Sequence, residues 1–348
     1  MKYLLIFACL YIQGLVCYSQ IGGRYAYEFL NLTSSPKVGA LGGKLISHPG
    51  NDLSLVYYNP ALLTKEMRNQ VSINFVSYFA DVKYGYLSYS HSFKKKFNVA
   101  YGLQYINYGS FTQADENGYT SGTFTCADYA LNIAASMPLD SFFTVGADIR
   151  PIISQYESYH STGLSSDFGI TYFNPAKLIH LALVVRNLGT ELQSYAGTME
   201  PLPFEIQLGY TQYLKYAPFN ISITAHHLET WDMSVLDHSD ESSSINSDQN
   251  KSKRGLDKFS DQLMRHFIFG VEFTPFRNFY LRLGYNYQRR KELKITTTPG
   301  TAGISWGFGF SISRFQFSYG RATYHLAGAS NLFSISTNLK SFYKKDKR

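Results

Sequence analysis

Three clusters of side chains in the 348-residue chain are of types that do chemistry. His226 and His227 are adjacent, and imidazoles are the commonest protein ligands of transition metals. They end an alternating run in which Phe219, Ile221, Ile223 and Ala225 interleave with Asn220, Ser222, Thr224 and His226. Neighbours on a strand point to opposite faces, so this pattern predicts that the two histidines cannot hold one metal together. The acidic run from Asp237 to Asp248 has the carboxylates of a calcium loop. Ser242 stands where that loop needs Gly, however, and Asp248 where it needs a bidentate Glu, so a solvated loop is expected. Gly42-Gly43-Lys44 matches the end of a phosphate-binding loop, but Val38 replaces its first Gly and Leu45 its Ser or Thr. No nucleophile elbow is read, and no Ser/His spacing marks a catalytic pair. The expectation is no catalytic residue, no metal and no cofactor.

The elements that would carry these residues are strands. Aromatics make up 16% of the chain, with 29 Tyr and 26 Phe, while charged residues are only 16%. Fourteen segments alternate with period two, at about 71–79, 82–91, 97–108, 126–137, 142–155, 164–173, 179–187, 203–214, 218–228, 266–275, 278–289, 302–313, 315–324 and 331–342. Most are near the ten or so residues a tilted strand needs to cross a bilayer. In FYLRLGYNYQ, Phe279, Leu281, Leu283, Tyr285 and Tyr287 are expected to face lipid, and Arg282, Gly284 and Asn286 the lumen. After the first strand, short connections such as PLDS, KYA and PF alternate with others that are often long. Outer-membrane barrels place short turns on the periplasmic side and long loops outside. The fold class expected is all-β: a transmembrane antiparallel β-barrel of about fourteen strands, with an N-terminal hatch or plug.

The domain boundaries follow. Residues 1–19 have the positive start, apolar core and small residues (Cys17, Ser19) of a secretory signal peptide. Without them 329 residues and one cysteine, Cys126, are left, so no disulfide framework is available, and Cys126 reads as an apolar filler. Residues 20–70 lack the strand pattern, are punctuated by Gly and Pro, and contain Asn59-Pro60-Ala61; they are expected to plug the barrel of residues 71–343. A Ser/Asp-rich stretch at about 229–264 is expected to be a mobile outer loop, and 344–348 a basic tail. The net charge of +7 is dispersed and follows a leader, which argues against nucleic acid. Tyr119, Tyr195, Met199 and Trp231 fall in outer loops and are the candidate anchors for a protein partner.

Several segments in order carry a family resemblance: YEFLNLTSSPKVGALGG, NDLSLVYYNPALL, VSINFVSYFADVKYGYLSYSHSF, QYINYGSFTQADENGYTSGTFTCADYAL, LPFEIQLGYTQYLKYAPFNISI, MRHFIFGVEF and TYHLAG. Across nearly the whole chain after residue 19, the sequence resembles the PorQ family of the type IX secretion system; the tail KKDKR departs from barrels that end on an aromatic residue. The resemblance implies an outer-membrane barrel similar in architecture to long-chain fatty-acid transporters. Such transporters carry a hatch with an Asn-Pro-Ala motif, matched by Asn59, Pro60 and Ala61. It further implies a non-enzymatic role in a surface attachment complex. The barrel would anchor a PorZ-like surface protein that works with a PorU-like sortase and a PorV-like barrel, so that cargo is processed and linked to lipopolysaccharide. The other reading of the same architecture is an outer-membrane transporter for hydrophobic small molecules.

Overall fold

A sheet with large apolar side chains on one face and small polar ones on the other can close with either face inward. Here the polar face turns inward. The computed structural model describes residues 25–48, 50–93, 97–195, 197–233, 251–293, 301–325 and 328–343. Residues 1–19, read as a signal peptide, residues 234–250 with the acidic run, and the 344–348 tail lie outside the described residues.

The strands are β1 (Gln70–Ser77), β2 (Lys83–Phe93), β3 (Phe97–Ala114), β4 (Thr120–Pro138), β5 (Phe143–Tyr156), β6 (Tyr159–Asn174) and β7 (Ile179–Gln193). They continue as β8 (Glu205–Tyr213), β9 (Phe219–Ala225), β10 (Phe267–Phe276), β11 (Phe279–Asn286), β12 (Ile304–Ile312), β13 (Phe315–His325) and β14 (Gly328–Asn338). Each pairs antiparallel with its neighbour in sequence, and β1 pairs with β14 from Gln70↔Asn338 to Ser77↔Asn331, which closes the barrel. Closure leaves no sheet edge, so every strand has its backbone partners without water. Among the described residues, four α-helices accompany them: α1 (Pro36–Ala40), α2 (Lys251–Arg265), α3 (Tyr287–Glu292) and α4 (Lys340–Tyr343). Among the described residues, no helix is long and apolar enough to cross a membrane.

Ile73, Phe75, Leu87, Leu103, Leu131, Leu183, Leu283, Trp306 and Phe333 are exposed on the outside of the wall. Their strand neighbours Ser72, Asn74, Ser88, Gln104, Asn132, Arg282 and Ser305 are buried inside. That inversion of the soluble pattern is what hydrocarbon demands, and it keeps Arg282 away from a lipid-facing position that would cost about 2–4 kcal/mol.

Three expectations are corrected. The segment around 107–124 is not a loop: β3 runs to Ala114 and β4 starts at Thr120, so the two form one long hairpin with a short turn. Backbone pairing carries the ladder past the last membrane-facing residue, where hydropathy gives no signal. Tyr287 does not extend the lipid-facing row. β11 stops at Asn286, whose side chain accepts from Arg289 N and caps α3. The polar stretch ends in a helix, α2, rather than in loop throughout.

Candidate functional site in the filled lumen

The segment before β1 lies inside the barrel. Beside α1 it folds as 3-10 turns at Glu28–Asn31, Leu53–Tyr57, Pro60–Leu62 and Lys65–Met67. Leu30, Val38, Leu45, Ile46, Leu53, Leu55 and Tyr57 are fully buried. Asn59 organises the middle of it. Its Oδ1 accepts from Ala61 N at 2.9 Å, and its Nδ2 donates to Ile46 O at 2.8 Å, joining two turns of the plug. Pro60 sits at the first position of its turn, where the missing N–H costs nothing. The wall makes room for this motif with two paired glycines, Gly146 on β5 and Gly169 on β6. A Cβ at Gly146 would strike the Pro60–Ala61 backbone, and one at Gly169 the Asn59 side chain.

A polar layer crosses the lumen above that seat. The Tyr57 hydroxyl has two acceptors in reach of its single proton, Leu30 O at 2.9 Å and Gln104 Oε1 at 2.5 Å. The Arg150 guanidinium lies 4.5 Å from the Tyr57 ring centre and donates to Tyr57 O at 3.0 Å. Arg150 also pairs with Asp148 at 2.7 Å and with Asp167, while Arg186 reaches Asp167 at 3.3 Å. All four charged side chains are buried. On the opposite wall the partners come from the plug itself: Lys37 faces Glu272 at 3.9 Å, and Lys44 pairs with Glu205. Arg282 binds Glu272 at 2.7 Å and His48 lies 3.2 Å from it.

This layer separates cavities at the two ends. At the short-turn end are adjoining hollows of about 880 and 720 Å³ that share Gly50, Leu178 and Tyr213. At the long-loop end is a hollow of about 370 Å³ walled by Tyr27, Tyr108, Tyr156 and Tyr195 above Asp128 and Glu191. The candidate docking residues sit on separate outer segments. Tyr119 is 74% exposed at the tip of the β3–β4 hairpin, and Met199 is exposed between β7 and β8. Tyr195 packs edge-on against Tyr156 and lines the outer hollow. Trp231 stacks on His266 at 5.6 Å and contacts Phe259 of α2 at 5.5 Å.

The structure overturns the separation expected for His226 and His227. β9 stops at Ala225, and His227 takes a left-handed φ of 52°, so the alternation that would part the rings has already ended. Both rings turn toward Glu205, and one ligand atom from each of the three lies within 4.8 Å of the others. A second feature escaped the sequence reading. Gly303-Ile304-Ser305-Trp306-Gly307 spells the letters of a nucleophile elbow. Ser305 lies within strand β12, not at a strand-to-helix turn. Its hydroxyl donates to Ala40 O at 3.0 Å and accepts from Gly42 N at 3.1 Å. It fastens the plug to the wall. Gly42 and Gly43, with φ of 102° and 100°, form a tight turn after α1, and Lys44 spends its charge on Glu205, so nothing there cradles a phosphate.

No protein-family model matches the sequence, and no curated protein matches it. Among solved structures, the chain is similar to the TodX monoaromatic hydrocarbon channel deltaS2 mutant, with a TM-score of 0.53 and 14% identity over 89% of this chain and 100% of that one. It is similar also to the CymD monoaromatic hydrocarbon channel, with a TM-score of 0.51 and 12% identity over 89% of this chain and 97% of that one. A Pseudomonas aeruginosa FadL homologue matches at a TM-score of 0.47 and 12% identity over 88% of this chain and 98% of that one. Identities this low speak to fold alone, and on that ground the chain is a closed fourteen-stranded antiparallel β-barrel with the fold of the TodX outer-membrane channel.

Proposed function

We propose that this barrel is a non-enzymatic outer-membrane anchor for a surface protein, the place in a type IX attachment complex that its resemblance to the PorQ family implies. The observation that carries the reading is the filled lumen. A buried charged layer is built on the plug's own Tyr57, and Lys37 and Lys44 tie the plug to the wall. A hydrophobic molecule crossing that layer would have to separate buried ion pairs, each costing several kcal/mol to leave half-paired. The long β3–β4 hairpin, with Tyr119 at its tip, and the loops bearing Tyr195, Met199 and Trp231 offer a partner surface on the outside.

A second reading, a channel for hydrophobic small molecules, is favoured by the comparisons: the TodX mutant and CymD structures are themselves named monoaromatic hydrocarbon channels. The aromatic outer hollow is its candidate for first capture. The test is a mild-detergent pull-down of the protein from its own outer membrane, with mass spectrometry of what stays bound. Recovery of a large PorZ-like surface protein, lost when residues 109–123 are replaced by a short turn, supports anchoring. Barrel recovered alone, with fatty acid or other apolar small molecules attached, replaces that reading with transport.

A further inference from the structure

The rim between β8 and β9 carries two histidines that neither reading of the barrel uses, beside Glu205, the wall partner of Lys44. Glu205 opens β8, and His226 and His227 follow the end of β9. His226 Nδ1 and His227 Nε2 are each 3.9 Å from Glu205 Oε1. Glu205 and His226 are both 0% exposed. Neither ring nitrogen of His226 has a hydrogen-bond partner among the described residues, and neither has Glu205 Oε2. Buried imidazole and carboxylate groups without partners are costly, so their persistence asks for an occupant.

We propose that Glu205, His226 and His227 form a binding site for a divalent transition cation of the zinc type at the outer rim of the barrel. Two imidazoles and one carboxylate are a donor set for such ions, and one open position for water or a fourth ligand completes it. With metal–ligand bonds of about 2.0–2.2 Å, tetrahedral ligand atoms stand about 3.3 Å apart. The three ligand atoms lie within 4.8 Å of one another, so modest side-chain rotation closes the site.

One surrounding feature fits a metal. The other nitrogen of His227, Nδ1, lies 3.0 Å from Glu229 Oε1, while Glu229 Oε2 is anchored by Ile206 N at 2.8 Å. A carboxylate behind a ligating imidazole fixes its tautomer and aims the free nitrogen at the metal.

The cation that now sits among these groups is the plug's own. Lys44 Nζ pairs with Glu205 and lies 3.4 Å from His227 Nε2. Metal and ammonium compete for the same carboxylate, so occupancy frees Lys44 and removes one of the ties between plug and wall. His227, 31% exposed, and Lys44, 18% exposed, leave a way in from outside.

The test uses the full barrel without an affinity tag, stripped with chelator in detergent and titrated with Co²⁺ and then Zn²⁺. Visible ligand-field absorption reports the first, and competition the second. One saturable equivalent is expected. His227→Ala, at the rim and outside the barrel ladder, should weaken binding at least about 10-fold while the barrel keeps its heat-modifiable gel migration. Lys44→Met should tighten binding several-fold, because the competing charge is gone. Zinc-edge X-ray absorption should count two imidazoles. Absence of saturable binding, an affinity unchanged by His227→Ala or not raised by Lys44→Met, or fewer than two imidazoles would each overturn the site.

Discussion

The wall from β3 to β7 and the wall from β8 to β12 belong to one barrel and solve different problems. The first is built of strands of 18, 19, 14, 16 and 15 residues, the second of 9, 7, 10, 8 and 9. About 9–11 tilted residues cross a bilayer. The short wall therefore lies at or just below that length, with β9 at 7 and β11 at 8 residues, while the tall wall continues beyond it, and the distal part of β3 is exposed on both faces. The two walls also hold the plug by different means. Charges on the tall wall, Asp148, Arg150, Asp167 and Arg186, pair with one another and offer the plug a cation over the Tyr57 ring and a glycine seat. Carboxylates on the short wall, Glu205 and Glu272, reach out to lysines of the plug. Glycine seats serve both walls, since a Cβ at Gly209, Gly284 or Gly307 would also strike the plug; what sets the short wall apart is the charge it shares with the plug.

Breaking the tall-wall network should have the largest effect. Arg150→Ala leaves Asp148 and Asp167 buried with one cation, Arg186, near Asp167 alone. Removing one partner of such a pair costs about 3–5 kcal/mol. The midpoint of guanidinium unfolding, read by heat-modifiable gel migration, should fall accordingly. A midpoint equal to that of the unaltered barrel would mean that the network contributes no stability.

Spoiling the shape of the seat comes next. Gly146→Val places side-chain carbons where the Pro60–Ala61 backbone lies, and over-packing of this kind costs about 1–3 kcal/mol. The wall can keep its ladder while the plug yields, so ion conductance in a planar bilayer should rise more than stability falls. A silent bilayer would show that the plug accommodates the side chain in place. On the short wall, Lys37→Met should be milder still. Glu272 retains Arg282 at 2.7 Å and His48 at 3.2 Å, so the loss is that of roughly one polar contact, about 1 kcal/mol. A drop as large as that of Arg150→Ala would erase the contrast between the walls.

The same contrast explains what the sequence told and withheld. All fourteen strands were legible, because lipid on one side and a packed lumen on the other impose period two on each. Their ends were legible to within a few residues on the short wall and at the short-turn side of the tall wall, while the outer ends of β3, β4, β6 and β7 run five or six residues past the pattern. Beyond Tyr108, both faces of β3 meet solvent, and Gly109 to Ala114 alternate nothing. The rim histidines were misread for the opposite reason. A strand rule was extended past Ala225 to a residue, His227, whose positive φ no hydropathy pattern announces. Asn59-Pro60-Ala61 stood out as the hatch motif, yet its meaning depends on Gly146 and Gly169, far away in sequence and brought together by register. The plug's 3-10 turns are shaped by the lumen that encloses them, so residues 25–67 carry little periodic signal of their own.

Helix α2 gives the finest test of the short wall, since it lies over a rim that the tall wall does not need covered. Its Asp261 accepts from the Tyr287 hydroxyl at 2.6 Å and meets Lys291 at 2.9 Å, both on α3, and Arg265 at 2.8 Å. Partial burial acts to raise this carboxyl, but the hydrogen bonds from Tyr287, Lys291 and Arg265 outweigh it and hold it at about 2. A depressed carboxyl contributes stability above its unfolded value of about 3.9 and loses it as the pH falls through the folded value. The α2–α3 contact should therefore be intact from neutral pH down to about 4 and loosen towards pH 2, by no more than about 1 kcal/mol because solvent screens the pair. A nitroxide on the exposed face of α2 should turn mobile over that interval while one on the β3–β4 hairpin does not change. Asp261→Asn should give the mobile spectrum already at pH 7 and speed tryptic cleavage after Lys258. Equal cleavage rates with and without the substitution would mean that the helix is held by Trp231 and Phe259 instead.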